Sequence, residues 1–266
     1  MTVGERRARF RELHAAEGIF VMPNAWDEGS ARLLAWSGFD AIATTSAGFA
    51  WTLGRNDQSV TRDELVAHVE RLSAATDLPL SVDSERLFAP DPAGVGETVR
   101  LLAAAGAAGC SIEDYDPATG RIDPPDVAAE RVAAAAAAAH EGEPMVLTAR
   151  SENHLHGVDD LDDTIARLVA YAAAGADAVY APGLTDPADI RAVVTSVGVP
   201  VNVLALPDTP PVPELGDLGV RRVSTGSLLA SAAYGALLTG ARELRTQGSS
   251  DYARAGLPRD VRTAAF

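Results

Sequence analysis

Eight times along this chain a short β-branched or apolar run is followed by a longer helical stretch, and nothing interrupts the alternation. The runs predict strands at Ile19–Met22, Ala41–Thr45, Leu80–Asp83, Gly109–Glu113, Met145–Arg150, Ala178–Ala181, Val201–Val203 and Arg222–Ser224. The stretches between and after them predict helices at Glu28–Ser37, Arg62–Thr76, Pro92–Ala105, Pro125–Glu141, Asp160–Ala174, Pro187–Ser196, Pro213–Leu218 and Leu228–Leu244. Three strands are preceded by the same device, in Ser37–Ala41, Ala105–Gly109 and Ala174–Ala178: a glycine that stops one helix before the next strand starts. Eight such units predict an α/β fold, a closed (β/α)8 barrel of the TIM type, over residues 1–246. A doubly wound open sheet would carry a glycine-rich phosphate turn after its first strand. Pro23–Ser30, "PNAWDEGS", is no such turn. The tail, residues 247–266, contains Pro258 and is expected to form a small helix against a neighbouring subunit.

Barrels of this size often break carbon–carbon bonds, and one route is a lysine Schiff base. The chain has no lysine, so no side-chain amine exists to form one. The other route stabilises an enolate with a divalent cation. Composition narrows the partners further. A net charge of −15 and scattered arginines argue against a nucleic-acid surface. One cysteine, Cys110, rules out an internal disulfide and a cysteine zinc site. Met1–Arg11 is charged, unlike a signal peptide, and no apolar run suits a membrane span, so the expected location is the cytoplasm.

In a barrel, residues just past the strand C-termini line one mouth. Those positions hold Asn24, Asp27, Thr45, Ser46, Gly48, Asp83, Glu85, Glu113, Asp114, Arg150, Glu152, Asn202, Ser224 and Thr225. Asp83 and Glu85 are two apart, so in an extended segment both would face the mouth, with Glu113 contributed by the next strand. Magnesium takes hard oxygen ligands of this kind and keeps several waters. Helix capping would also account for isolated acids. Arg150 ends its strand and could clamp a carboxylate or phosphonate, or pair with Glu113 or Glu152. Thr44–Phe49 offers small residues and amides for a carboxylate, or is an ordinary turn. Cys110, three residues before Glu113, should point to the opposite face and pack under the helices. His154 and His156 either donate protons or decorate a loop; Trp26 or Trp51 either roofs the pocket or packs in the core.

In chain order, "PNAWDEGSARLLAWSGFDAIATTSAG", "LGRND", "VDSE", "AGAAGCSIED", "LTARSEN", "AGADAVYAPG" and "PVNVL" resemble the isocitrate lyase/phosphoenolpyruvate mutase superfamily from about Phe20 to Gly240. The resemblance implies a magnesium-dependent barrel (manganese being an alternative), usually a homotetramer with a swapped C-terminal helix. It implies α-keto or α-hydroxy carboxylate substrates and a metal-bound enolate, or P–C cleavage. By this likeness Asp83, Glu85 and Glu113 form the metal shell, with Asp57 near the metal waters. Thr45, Ser46 and Ala47 grip the substrate carboxylate, Arg150 clamps substrate, and Asn202 lines the pocket. The departures matter. The lyases' Lys-Lys-Cys-Gly-His loop, whose cysteine reprotonates the enolate, is replaced by Tyr115–Asp123, "YDPATGRID". Arg86 and Leu87 stand where the family has Asn or Thr and then Gly, and "YAPGL" supplies neither the lyases' glutamate nor the mutase's histidine.

The resulting expectation is a magnesium-dependent lyase of a small 2-oxo or 2-hydroxy carboxylate, with Tyr115, His154 or His156 available as proton donor beside Arg150. Phosphonopyruvate mutase or hydrolase chemistry, oxaloacetate decarboxylation and a non-catalytic carboxylate binder are the alternatives.

Overall fold

The computed structural model describes residues 1–266. Strand β1 runs in two pieces, Phe20–Met22 and Asn24–Ala25, broken where Pro23 has no N–H to give. Seven more follow: β2 (Ile42–Thr44), β3 (Leu80–Val82), β4 (Gly109–Glu113), β5 (Val146–Arg150), β6 (Ala178–Tyr180), β7 (Val201–Leu204) and β8 (Arg222–Ser224). The first piece of β1 pairs with β8, Phe20 opposite Arg222, and the second with β2, Asn24 opposite Ala43. Every pairing around the ring is parallel, so the sheet closes on itself through one strand. The expected barrel is the fold observed. The Asn24 side chain holds the seam: its Oδ1 accepts the N–H groups of Thr225 and Gly226, both at 2.9 Å.

The helices are α1 (Val3–Ala15), α2 (Glu28–Trp36), α3 (Ser46–Thr52), α4 (Arg62–Ala75), α5 (Pro92–Ala104), α6 (Pro125–Ala139), α7 (Leu161–Ala173), α8 (Pro187–Ser196), α9 (Val212–Asp217), α10 (Leu228–Gln247) and α11 (Arg259–Ala265). The three glycine stops are as expected: Gly38, Gly106 and Gly175 all have positive φ just past a helix end. Outward strand residues such as Leu80, Val82, Cys110, Ile112, Leu147 and Val179 join the helices in one buried apolar cluster. Cys110 is therefore on the outer face, fully buried, with its thiol pushed up to about 12 by burial. The inward residues of the same strands, Ser81, Ser111 and Thr148, line a cavity instead.

Helix α1 and the short α3 were not expected. The buried face of α1 is Arg6, Arg7, Phe10 and His14, which no hydrophobic period would reveal. The Arg6 guanidinium donates to the Ser73 and Thr76 carbonyls, and that of Arg7 to those of Ala103 and Ala107. Both arginines thus satisfy carbonyls at or just past the ends of α4 and α5. Phe10 packs with Phe20, Met22, Ala43 and Val146 and closes the N-terminal end of the barrel. Gly109 is required there, since a Cβ would lie 2.7 Å from the Phe10 ring. At the other end of the chain, α10 buries only Ala230 and Gly240, and Leu237, Leu238 and Leu244 are exposed. In the tail, α11 lies against α2 of its own chain.

His68 on α4 is buried, stacks on Phe49 at 3.8 Å, and has no partner for Nε2. Burial and the nearby Arg71 hold its pKa down at about 3, from 6.5. A depressed folded-state pKa gives stability that is complete above the unfolded value and lost as pH falls below it. His68→Phe keeps the stack and removes the titration. Its stability relative to the native protein should improve by roughly 2 kcal/mol between pH 7 and pH 5, measured by urea denaturation. A pH-independent difference would exclude a neutral buried His68.

Candidate active site

At the C-terminal end of the barrel a cavity of about 170 Å³ runs down between the strands. Asp83 stands at its centre, immediately after β3. Its Oδ2 accepts the Ser46 N–H at 2.9 Å and its Oδ1 accepts from Arg150 Nη1 at 2.7 Å. Arg150, at the end of β5, also donates through Nε to Glu152 at 2.7 Å and lies 3.2 Å from Glu113. Its guanidinium sits 5.4 Å from the Tyr180 ring centroid. Burial alone would lower the Arg150 pKa, but Glu152, Glu113 and Asp83 hold it well above the ordinary value. Glu113 is raised well above the carboxylate range by burial, with Arg150 opposing. Arg150 thus lines the cavity and is ion-paired at the same time.

Glu85 reaches the site by a different route from the one expected. The strand ends at Val82, and Glu85 has φ +48°, so the alternation that was to align it with Asp83 does not apply. Leu87 and Phe88 are also in the left-handed region, at +60° and +55°. Such conformations cost a β-carbon-bearing residue roughly 1–2 kcal/mol each. Full burial of Leu87 offsets part of this. Arg131 of α6 offsets more, donating to the carbonyls of Arg86, Ala89 and Pro90. Arg86 itself forks onto Asp123. The turn leaves Glu85 buried, and burial followed by repulsion from Asp83 and Asp57 raises its pKa to about 8.

Of the other expected residues, Asp57, Thr45, Ser46, Ala47, Arg150 and Asn202 line the cavity. Thr45 to Ala47 form no loop: Thr45 caps α3, accepting the Gly48 N–H, and the chain turns helical at Ser46. Glu85 and Glu113 are not in the cavity wall. Gln58 Nε2 covers Glu113 with a 2.8 Å hydrogen bond. No three acids or histidines close on one point as a direct metal cage. Asp114 is structural, bound by Tyr171 Oη, Arg167 and the Glu152 N–H. Asp27 caps α2.

Tyr115, His154 and His156 lie outside the wall. The Tyr115 ring stacks on His156 at 3.7 Å, and His154 Nε2 meets Thr164 Oγ1 at 3.2 Å. Leu155, between the two histidines, is what faces the cavity, with Pro182 and Leu204. Neither Trp26 nor Trp51 roofs it; Trp51 packs edge-on to Tyr234. Tyr180 and Arg222 are among the cavity residues that the mouth positions read from the sequence do not include. Both share inward parity with neighbours that had been placed in the mouth, Tyr180 through register with Arg150 and Arg222 through spacing from Ser224.

Comparison with known proteins agrees with this geometry. The sequence model of the phosphoenolpyruvate phosphomutase family matches residues 10–245. The chain belongs to that family. A solved structure of a lyase/mutase candidate from Burkholderia cenocepacia J2315 superposes with TM-score 0.94 at 49% identity, covering 98% of this chain and 95% of that one. "Probable 2-methylisocitrate lyase 2" of Corynebacterium glutamicum is 34% identical over 74% of this chain and 66% of its own length. An oxaloacetate decarboxylase of Paraburkholderia xenovorans is 34% identical over 76% and 70%. The expected membership of the isocitrate lyase/phosphoenolpyruvate mutase superfamily holds. Carbon–carbon cleavage, the expected kind of chemistry, is what these relatives are named for.

Within this phosphoenolpyruvate phosphomutase family member, Arg150 is the cation that keeps buried Glu113 and Glu152 and the partly buried Asp83 compatible. Removing one partner of a buried ion pair costs about 3–5 kcal/mol. Arg150→Met should lose that much stability at pH 8 by urea denaturation. The deficit should narrow toward pH 6, because acids with raised pKa values take up protons in the folded state and regain stability as pH falls. Equal stability of variant and parent at pH 8 would rule out this role.

Proposed function

We propose that the protein is a cytoplasmic, divalent-cation-dependent lyase of small 2-oxo or 2-hydroxy carboxylates, with magnesium as its metal and manganese as a substitute. The observation that carries this reading is the imbalance around Asp83. Asp83, Glu113 and Glu152 converge on Arg150 alone, with Glu85 and Asp57 close by. The donor set suits magnesium, which takes one or two carboxylates and retains several waters, better than a metal needing a full protein cage. Asp83 would hold the ion, with Asp57, Glu85 and Glu113 around its waters. When bound, the cation supplies Lewis-acid stabilisation of the charge that develops on the substrate's C2 oxygen.

The chain's own groups do the rest. Ala47 lines the cavity and its N–H, in the first turn of α3, has no protein acceptor; a substrate carboxylate would take it together with the Thr45 hydroxyl. Arg150 already lies in the wall and would hold the substrate beside Asp83. Leu155, Pro182 and Leu204 exclude water from one side. Tyr180 is the phenol in the wall and would be the hydroxyl that returns a proton to carbon.

Pyruvate carrying its methyl protons into D₂O is the direct probe. NMR should show exchange that requires the protein and Mg²⁺, that stops on adding a chelator, and that Asp83→Ala abolishes. Undiminished exchange with chelator would remove the metal from the mechanism, and no exchange with Mg²⁺ would remove the pyruvate enolate.

The assembly we propose is a homotetramer in which α10 packs across a neighbouring subunit. Twenty residues with only Ala230 and Gly240 buried leave an apolar face that one chain does not cover. Light scattering should give four times 27.6 kDa, and Leu237→Glu with Leu238→Glu should give smaller species. A parent protein at 27.6 kDa would end the idea.

A further inference from the structure

The floor of the cavity holds a cation with no counter-charge. Arg222 is 3% exposed and lines the cavity from β8. Its Nε donates to Asn202 Oδ1 at 2.9 Å, Nη1 to His14 Nε2 at 3.0 Å, and Nη2 to Thr148 Oγ1 at 3.0 Å. All three acceptors are neutral. His14 Nδ1 lies 2.8 Å from the Phe10 carbonyl and must donate to it, which leaves Nε2 as the acceptor for Arg222. Burial and Arg222 itself keep that ring uncharged. No carboxylate pairs with Arg222, and two of its five N–H groups have no protein partner.

The other buried arginines are handled differently. Arg150 and Arg167 meet carboxylates, while Arg6, Arg7 and Arg131 meet backbone carbonyls at or near helix ends and in a tight turn. An isolated buried charge is costly, so it is retained where something compensates it. The surroundings of Arg222 leave room for that compensation. Barrel interiors are normally filled by layers of bulky branched side chains. Here the inward layer beside Arg222 is Ala43, Ser81, Ser111, Thr148 and Asn202, small and mostly hydrogen-bonding, and it lines open cavity.

We propose that Arg222 is a second anion-recognition site and that the substrate is a dicarboxylate, its distal carboxylate received at the floor by Arg222 and the nearby hydroxyls. This rests on the reading above, in which the proximal carboxylate binds at Ala47 near the mouth. The acids cluster at the mouth and this cation lies beneath them, so a dianion finds opposite surroundings at its two ends. A short dicarboxylate reaches both; the corresponding monocarboxylate leaves Arg222 unpaired.

Malate and 2-hydroxybutyrate differ only in a terminal carboxylate against a methyl group. Isothermal titration of the Mg²⁺-loaded full chain, in chloride-free buffer and again with chloride, compares them. The expected result is malate binding at least tenfold tighter, with Arg222→Met erasing the preference, Arg222→Lys keeping part of it, and 2-hydroxybutyrate affinity changing less than about threefold. Chloride should compete weakly with malate and not with 2-hydroxybutyrate. Equal affinities in the parent protein overturn the proposal, as does an Arg222→Met variant that weakens both ligands alike, which marks a purely structural arginine. Should Arg222→Met not fold, Arg222→Lys decides: a malate preference that it leaves unchanged overturns the proposal. Absence of malate binding also overturns it, and the pyruvate exchange then reports separately whether the metal-site reading survives.

Discussion

One guanidinium holds the catalytic end of this barrel together. Arg150 reaches Asp83, Glu113 and Glu152, which arrive from three different strands or the loops just past them. Without it the three would repel one another in a poorly solvated place, and their protonation rather than their ionisation would be favoured. With it, three carboxylates against one cation leave a formal charge of −2 when all are ionised. That residue of negative charge is what a divalent ion would neutralise. The ion pairs therefore do two things: they permit the acids to be gathered, and they stop short of neutralising them. A second arginine at the same place would reduce that excess to −1 and weaken the case for a divalent ion.

The pairing works because the backbone around it is fixed from behind. The turn after Asp83 carries three residues in the left-handed region, an expensive arrangement for side chains other than glycine. Arg131 ties its carbonyls to α6, and Asp123, just past the short hairpin formed by Tyr115–Asp116 and Arg121–Ile122 after β4, clamps Arg86. Asp114 does the same for the loop after β5, taking the Glu152 N–H while held by Tyr171 and Arg167 of α7. Glu152 thus meets Arg150 with its side chain and Asp114 with its backbone. The helical layer reaches the site through these charged and hydrogen-bonded links, which transmit position more specifically than apolar packing does.

Where the sequence could be read, period was the reason. Alternation along β4 put Cys110 on the outer face, where it lies, and glycine stops located the helix ends before three strands. Alternation failed at Glu85 because the chain had already left the strand, so a rule about extended backbone was applied to a left-handed turn. Helix α1 was hidden because its buried face is half arginine; only the carbonyls it satisfies explain that face. Tyr115, His154 and His156 follow strands in sequence, but loops carry no period, and in space Leu155 takes the wall. Arg222 had the right parity in "RRVS" and was overlooked because an arginine near a strand's start reads as a surface residue.

Register explains how two arginines coexist in one cavity. Arg150 lies opposite Tyr180, Tyr180 opposite Asn202, and Asn202 opposite Arg222, a single row across four strands. Like charges side by side in a dry interior would be costly. The two between them are a phenol and an amide, neutral groups that accept or donate according to need. Arg150 is drawn toward the acids of the mouth. Arg222 is drawn toward Thr148 and His14, the latter from the helix that closes the N-terminal end. The row thus places one cation in each half of the cavity with dipoles between. If the dicarboxylate proposal holds, this separation would fix a ligand with two acidic ends in orientation as well as in place.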